Sequence, residues 1–276
     1  MILFYQNSNK ILAMASKSMN RYYFSEFRDL LNMTNALILV PSRYGSTRFP
    51  GKPLAMINGK PMIAHIVQNC QETGFEFAIV TDDERIEEAV KIAGGKSVRV
   101  DEDVSTGSER IALALDKYYK DQNFDYIVNM QGDEPLMRAQ YIKKVVESHA
   151  QSDFDIFTAV KPRSGEESSY LNPNIVKAVL SQETKACLYF SRAGVPYYQT
   201  GEVKDWSQHI GIYSYRPEAL LKFSKLKPSQ LEICERLEQL RALENGLTIG
   251  ATKLEVELLG VDTPEDIKKV EGVMGE

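Results

Sequence analysis

Residues that could bind phosphate are concentrated in one segment, ALILVPSRYGSTRFPGKPL, which covers residues 36–54. Its apolar first part has strand character and breaks at Pro41. The loop that follows combines cations with small residues, namely Arg43, Gly45, Ser46, Thr47, Arg48, Gly51 and Lys52. Glycines let the backbone approach a ligand closely, so that its N–H groups can point at phosphate oxygens. Because three cations lie within the ten residues 43–52 and can neutralise a polyphosphate, the loop predicts a nucleoside triphosphate site.

Two common phosphate-binding motifs do not fit this loop. A Walker A motif has four residues between its first glycine and its Gly-Lys pair, and Ser or Thr follows. Here five residues separate Gly45 from Gly51, and Pro53 follows Lys52. No G-x-G-x-x-G sequence opens a helix at this point, as a dinucleotide fingerprint requires. A basic surface loop without a ligand stays open as the alternative, although so many Arg, Lys and Gly residues directly after a strand argue against it.

Two carboxylates follow predicted strands and could hold a divalent cation near this loop. Phosphoryl-type transfer uses a divalent ion, and Mg²⁺ prefers one or two carboxylates together with phosphates and water. Asp133 follows the apolar run 126–130, and Asp262 follows a short apolar run before the last predicted helix. Since both acids follow strand ends, both can reach one cleft. Each also has a structural alternative, Asp133 as a turn residue and Asp262 as a helix cap.

Composition indicates a globular protein and favours a small anionic ligand. The 276 residues carry a net charge of −5, and a mildly acidic chain with one basic loop suits a small anion better than a nucleic acid. The cysteines Cys70, Cys187 and Cys234 are isolated and lack metal-site spacing, which is typical of a reducing cytoplasm. No apolar run has the length of a membrane span.

Strand and helix patterns alternate from residue 36 to about residue 160 and predict a parallel sheet covered on both faces by helices. After Lys161, the strand-like runs 175–180, 186–190 and 209–215 lack long helices between them. They predict an antiparallel, smaller lobe within about residues 161–215. A single helix is expected over residues 230–245, ended by Gly246, and the last helix is expected after Thr263.

Residues 1–35 differ from the rest of the chain. This segment is rich in Asn, Ser and aromatic residues, has no acid before Glu26, and its best apolar run is too short for a signal-peptide core. Met33 directly precedes the first predicted strand and could itself be a start. We interpret residues 1–35 as a poorly ordered N-terminal extension and residues 36–276 as the functional domain.

The chain resembles the 3-deoxy-manno-octulosonate cytidylyltransferase family in eight segments that occur in order from about residue 37 to residue 270. They read PSRYGSTRFPGKPL, TDDERI, QGDEP, NPNIVKAVL, LYFSRAGVPY, HIGIYSYR, LEQLRALENG and GVDTPED. The resemblance implies one α/β nucleotidyltransferase domain with a small dimerisation lobe, and hence a homodimer. It also implies that CTP and the sugar acid 3-deoxy-manno-octulosonate (Kdo) give the CMP-sugar and pyrophosphate, with Mg²⁺, for lipopolysaccharide synthesis.

The same resemblance implies roles for individual residues. CTP would be bound by Arg43, Ser46, Arg48, Lys52, Thr106, Gly107, Arg110 and Gln131. Asp133 and Asp262 would hold Mg²⁺, and Lys52, Arg43 and Asp133 would be catalytic. The sugar acid would be bound by Arg192, His209, Tyr213, Glu238 and Gln239. A planar arginine fork suits the carboxylate of that substrate.

One segment departs from the family pattern. The family usually reads S-G-T-D-R where this chain has Thr106-Gly107-Ser108-Glu109-Arg110, so three of the five residues differ conservatively. The difference leaves open whether the 8-amino analogue of Kdo is the preferred acceptor. Two other interpretations also remain, a sialic acid cytidylyltransferase and a nucleotide-binding regulator without catalysis.

Overall fold

The structure is a computed structural model, and it describes residues 34–45, 49–104 and 106–275. Ala36–Glu276 form one compact unit. The extension expected over residues 1–35 lies outside the described residues except for its last two positions, and so do Ser46 and Arg48. In the part of the chain that is described, no helix is both long and apolar enough to cross a membrane.

A mostly parallel sheet forms the centre of the molecule, as the sequence predicts. Its order is β11-β7-β10-β6-β1-β4-β5, with β8 and β9 attached through β10 and with β2 and β3 forming a separate hairpin. The strands are β1 (Ala36–Pro41), β2 (Met56–Ile57), β3 (Lys60–Pro61), β4 (Glu76–Thr81), β5 (Ser97–Arg99), β6 (Tyr126–Asn129), β7 (Ile156–Ser164), β8 (Lys177–Leu180), β9 (Cys187–Ser191), β10 (Asp205–Tyr215) and β11 (Ile249–Lys253). Because β1, β4, β5 and β6 run parallel, the loops that follow them meet at one edge of the sheet.

Helices cover both faces of the sheet, since the side chains of each buried strand alternate between two apolar cores. In β1, Leu37 and Leu39 pack into one core, whereas Ile38 and Val40 pack into the other. The helices are α1 (Met62–Thr73), α2 (Glu84–Ile92), α3 (Gly107–Tyr118), α4 (Ala139–Ala150), α5 (Glu167–Leu171), α6 (Pro217–Phe223), α7 (Gln230–Glu235), α8 (Gln239–Glu244) and α9 (Pro264–Gly275). The first core contains residues of α3, α6 and α8, and the second contains residues of α1, α2 and α4.

The antiparallel part is built around β10, which is longer than the predicted strand. Its C-terminal residues 213–215 lie inside the main sheet between β6 and β7 and run antiparallel to both. Its N-terminal half pairs with β8, which pairs in turn with β9. The small antiparallel region that the sequence predicts is therefore present, and one of its strands continues into the centre of the sheet.

The prediction of one helix over residues 230–245 is wrong. Two short helices, α7 and α8, occupy this range, and Arg236 between them has a left-handed backbone with a φ of 53°. The helical spacing of the apolar residues continues across the break, so periodicity alone does not reveal it. The break places Leu237 in the core and turns Glu238 toward the start of α3.

His149 illustrates how polar groups are satisfied inside this fold. Its ring is fully buried and stacks on Phe157. The distance from its Nε2 to the carbonyl oxygen of Phe154 is 2.9 Å. Because a carbonyl only accepts, Nε2 carries the proton, and Nδ1 accepts from the hydroxyl of Ser214 at 2.8 Å. Burial lowers the pKa of His149 to about 4, so the folded state holds this ring neutral.

Replacement of His149 by Gln tests this assignment through the pH dependence of stability. The unfolded chain binds a proton at His149 near its ordinary pKa of 6.5, whereas the folded chain does so only near 4, so acid favours unfolding. We expect this residue alone to cost about 2 kcal/mol of unfolding free energy between pH 7 and pH 5. Urea denaturation at both pH values should show a smaller loss in His149→Gln than in the parent. An equal loss in the two proteins would contradict a neutral, buried His149.

Candidate active site

Two glycines bring three loops together at the end of β1. A Cβ on Gly132 would lie 2.8 Å from the carbonyl oxygen of Pro41, closer than side chains approach backbone atoms. A Cβ on Gly107 would lie 3.1 Å from the ring of Pro41. The turn after β6 and the start of α3 can therefore pack directly against the beginning of the basic loop. This close approach assembles at one place the segments that the sequence assigns to the nucleotide.

Lys52 and the two predicted metal carboxylates form one cluster. The Lys52 Nζ donates to Asp133 Oδ2 at 2.7 Å and lies 3.6 Å from Asp262 Oδ1. The backbone N–H of Val261 donates to the carbonyl of Asp133 at 2.9 Å, which ties the loop of Asp262 to the turn after β6. The expectation that both acids reach one cleft is therefore met in the geometry, although the two residues are far apart in the chain.

The backbone before Lys52 fixes where its side chain starts. Gly51 has a φ of 71°, in the left-handed region, and its N–H donates to the carbonyl of Tyr44 at 2.9 Å. A short 3-10 helix over Lys52–Leu54 follows directly. The guanidinium of Arg85 stacks on the Tyr44 ring, 3.4 Å from the ring centroid, and donates hydrogen bonds to the carboxylate of Asp83. These contacts brace the base of the basic loop.

Glu134 adds a third carboxyl group that the sequence reasoning did not select. Burial, together with the charges of Asp133 and Asp262, raises the pKa of Glu134 to about 8. Its Oε2 is buried and has no hydrogen-bond partner among the described residues. Its position in the QGDEP turn, next to Asp133, is the only sequence signal that could have found it.

Two arginines, Arg43 in the basic loop and Arg110 in α3, lie near each other. Arg110 is buried, and it donates to the carbonyl of Val100 and lies 3.7 Å from Asp82. Arg43 donates to the carbonyl of Val104. Burial, followed by the charge of Arg43, lowers the pKa of Arg110, which indicates that the two guanidinium groups are neighbours. Two neighbouring cations attract an anion to this place, and Asp82 offsets part of the charge of Arg110.

A cavity of about 220 Å³ contains most of the residues predicted to bind the sugar. Its walls include Gln131, which the family resemblance assigns to CTP binding. They also include His209, Tyr213, Glu238 and Gln239, which it assigns to the sugar acid. Burial lowers the pKa of His209 to about 3 and raises that of Tyr213 well above its usual value, so both side chains are neutral hydrogen-bonding groups at pH 7. The His209 Nε2 lies 3.1 Å from the hydroxyl of Thr158.

Arg192 is the one predicted sugar residue, within the described residues, that does not line this cavity. Its guanidinium donates to the carbonyls of Glu235 at 2.7 Å, Pro173 at 3.0 Å and Arg236 at 3.3 Å. Its backbone N–H donates to the carboxylate of Glu235 at 2.9 Å. In this structure Arg192 thus holds the end of α7 against the small antiparallel region.

A mostly parallel sheet with cations, paired carboxylates and a polar cavity at the edge of its strands is the arrangement expected of an α/β nucleotidyltransferase. A family model described as Cytidylyltransferase matches residues 37–249. The chain belongs to the 3-deoxy-manno-octulosonate cytidylyltransferase family. This agrees with the resemblance found in the sequence.

Individual relatives support that family assignment. Proteins named 3-deoxy-manno-octulosonate cytidylyltransferase from Parabacteroides distasonis and Myxococcus xanthus are each 42% identical to the chain, over 240 and 241 residues. These alignments cover 84% and 86% of the chain and 94% and 95% of the relatives. A solved structure of CMP:2-keto-3-deoxy-manno-octonic acid synthetase complexed with CTP is 34% identical, has a TM-score of 0.81, and matches 88% of this chain and 99% of its own.

A more distant solved structure has a similar fold. A cytidylyltransferase from Leptospira borgpetersenii has a TM-score of 0.58 and 17% identity, and the match covers 88% of this chain and 87% of its own. At this identity the likeness concerns the fold alone.

Replacement of Gly132 by Ala tests the close packing at the end of β1. The added methyl group would meet a backbone oxygen that cannot move aside as a side chain can, so we expect a loss of about 1–3 kcal/mol in unfolding free energy. Gly272→Ala is a matched control, since it lies in α9 with open space around its Cα and should leave stability equal or slightly higher. Urea denaturation measures both. Equal stability of the parent and Gly132→Ala would show that the turn is not constrained as described.

Proposed function

We propose that this chain transfers CMP from CTP to the anomeric hydroxyl of Kdo and releases pyrophosphate. The observation that carries the proposal is the cluster of Lys52, Asp133 and Asp262 at the sheet edge that also holds the cavity lined by Gln131, and Gln131 lies only two residues from Asp133. The names of the curated relatives and the CTP complex of the related structure support it. In this proposal the CMP-sugar feeds lipopolysaccharide synthesis and the enzyme works in the cytoplasm.

The nucleotide half of the site would use the cations around the end of β1. Arg43 and Arg110 can neutralise phosphate oxygens on one side, and Lys52 can do so on the other. Thr106 and Gly107 begin α3, whose first N–H groups favour negative charge. Ser46 and Arg48 stay predictions, because they lie outside the described residues.

The residues around Lys52 fit a magnesium ion. Asp133 and Asp262 supply the one or two carboxylates that Mg²⁺ prefers, with phosphates and water completing its coordination. Within the described residues, no group of three or more His, Cys, Asp and Glu side chains forms an all-protein metal site. A bound ion would neutralise phosphate charge and lower the pKa of a coordinated hydroxyl.

The chemistry is a direct displacement at phosphorus. The anomeric oxygen forms a bond to the α-phosphorus, the bond from that phosphorus to the bridging oxygen of pyrophosphate breaks, and the hydroxyl proton passes to solvent. The protein contributes position and charge rather than a covalent intermediate. Lys52 and Arg43 offset the negative charge that builds on the leaving pyrophosphate.

The cavity wall would recognise the acceptor. His209 and Tyr213 are neutral and can exchange hydrogen bonds with sugar hydroxyls, and Gln131 and Gln239 add amide groups. The half-buried carboxylate of Glu238 could accept from a hydroxyl or from the ammonium group of the 8-amino analogue of Kdo. Arg192 would contribute from the adjoining end of α7.

A pyrophosphate-release assay with CTP and a panel of acceptors tests this function. Kdo and its 8-amino analogue should support turnover, whereas sialic acid should not. Turnover with sialic acid alone would favour the sialic acid alternative. Calorimetry that detects CTP binding, without pyrophosphate release for any acceptor, would favour a nucleotide-binding regulator.

Replacement of Asp133 by Asn removes one carboxylate charge while it keeps the shape of the side chain. We expect pyrophosphate release with CTP, Kdo and Mg²⁺ to fall by roughly a hundredfold or more, because charge stabilisation of the transferred group is lost. Asp116→Asn, an exposed position in α3, should keep the parent rate. Near-normal turnover of Asp133→Asn would refute the metal assignment.

We also propose that two copies pair through the small antiparallel region. Among the described residues, β9 forms its ladder only with β8. Ala186, directly before β9, forms a single bridge with Gly250, and Leu188 is 61% exposed, so the rest of this edge can accept a second copy. Light scattering after size exclusion should give a dimer mass for the parent. Leu188→Glu should shift it to the monomer, and Ile92→Glu, in α2, should not. A dimer mass for Leu188→Glu would contradict this interface.

A further inference from the structure

The segment that departs from the family pattern contacts a residue of the sugar pocket, Glu238. The Ser108 Oγ donates to Glu238 Oε2 at 2.9 Å. Thr106 also forms a side-chain hydrogen bond with Glu238, and Glu109 Oε1 lies 3.8 Å from the Nη1 of Arg241. The three residues that differ from S-G-T-D-R therefore all contact Glu238 or Arg241, which belong to the LEQLR segment.

Ser108 occupies a buried and fully defined hydrogen-bonding position. Its side chain is only 2% exposed, and its single hydroxyl proton is given to Glu238. The Asn129 Nδ2 lies 3.4 Å from Ser108 Oγ and the Tyr215 hydroxyl lies 3.5 Å away, so both groups donate to Ser108. The Ser108 hydroxyl thus accepts hydrogen bonds from residues of the central strands β6 and β10 and donates one to the carboxylate of Glu238.

Glu238 is held from its other side by a buried arginine. Arg241 is 1% exposed, and its Nη2 lies 3.5 Å from Glu238 Oε1. The guanidinium itself is fixed by two bonds to Glu232, at 2.8 and 2.7 Å, and by one to the carbonyl of Leu226 at 2.9 Å. Each oxygen of the Glu238 carboxylate therefore has a partner on a rigid element, whereas the side chain also faces the cavity.

We infer that Ser108 is a positioning residue for the acceptor: it fixes the carboxylate of Glu238 in the sugar pocket, although its segment begins the helix assigned to the nucleotide. The inference rests on the proposed function for the identity of the acceptor. Charged hydrogen bonds restrict direction strongly, so loss of the Ser108 donor weakens the hold on the carboxylate from the start of α3 and lets it shift toward Arg241. Ser108 then affects acceptor recognition and leaves CTP recognition intact.

Steady-state kinetics of Ser108→Ala test this role. We expect KM for Kdo to rise roughly tenfold or more, as loss of a hydrogen bond to a half-buried charge implies, with KM for CTP within twofold of the parent. Ser108→Thr keeps the hydroxyl and should restore KM for Kdo. Ser168→Ala, at an exposed site in α5, controls for loss of a serine elsewhere. An unchanged KM for Kdo, or equal rises in both KM values, would overturn the inference.

A double-mutant cycle separates positioning from a general loss of structure. If Ser108 acts through Glu238, Ser108→Ala should add little to the KM effect of Glu238→Gln. Additive effects of the two substitutions would mean that Ser108 acts by another route, and the inference would fail.

A substrate-free measurement keeps the test independent of the proposed function. The ¹³C resonance of the Glu238 carboxyl reports its titration. The titratable and charged groups that face it are Arg241, Glu232, Tyr213 and Tyr215, and its hydroxyl donors are Thr106 and Ser108. Loss of a donor to the charged form raises a pKa, so the pKa of Glu238 should rise in Ser108→Ala and return in Ser108→Thr. If that shift occurs while no acceptor is turned over, the proposed function fails and the link between Ser108 and Glu238 stands. An unshifted titration would refute the link itself.

Discussion

The site depends on one steric constraint, the approach of Gly132 to the carbonyl of Pro41. Parallel strands bring their carboxyl ends to one edge, but their loops need small residues to come within contact of each other. With glycine at position 132, the turn that carries Asp133 lies against the strand that leads into the basic loop. The 2.7 Å contact between Lys52 and Asp133 follows from that packing, as does the position of Gln131 in the cavity wall.

The charge balance near Lys52 is set by burial as much as by residue type. Three carboxyl groups surround one ammonium group, which suggests a large negative excess. Glu134, however, has a pKa of about 8 and is mostly protonated at pH 7, so the charge near Lys52 is that of Asp133 and Asp262 alone. A neutral Glu134 also avoids repulsion with its acidic neighbours. The arrangement keeps two charged oxygen donors at the surface of the cleft and a third, uncharged carboxyl beneath them.

Sequence reasoning predicted the parts of this molecule that depend on local signals. The strand before the basic loop, the helix that begins at Gly107, and the common edge of Asp133 and Asp262 follow from periodicity and from the geometry of parallel strands. It could not predict the two-helix break at Arg236, because a left-handed residue with an ordinary side chain leaves the apolar spacing intact. Nor could it predict Ser108, Glu134 or Arg241, whose importance arises from partners distant in the chain.

The cavity has walls suited to hydroxyl groups, and this bears on where the acceptor carboxylate is recognised. None of the described side chains that line it is a cation, and the ring of His209 is neutral because burial lowers its pKa to about 3. Arg192 is committed to three carbonyl oxygens around the end of α7, so binding a carboxylate there requires these bonds to be exchanged. Backbone carbonyls left without a donor cost free energy, and a carboxylate that approaches Arg192 must supply more than it displaces. A carboxylate that pairs with the guanidinium as a bidentate fork adds an attraction between opposite charges that neither a backbone carbonyl nor a sugar hydroxyl supplies, which favours the exchange for an anion. Under the proposed function, the sugar hydroxyls would be recognised by neutral groups in the cavity, and the carboxylate would be recognised by Arg192 outside it.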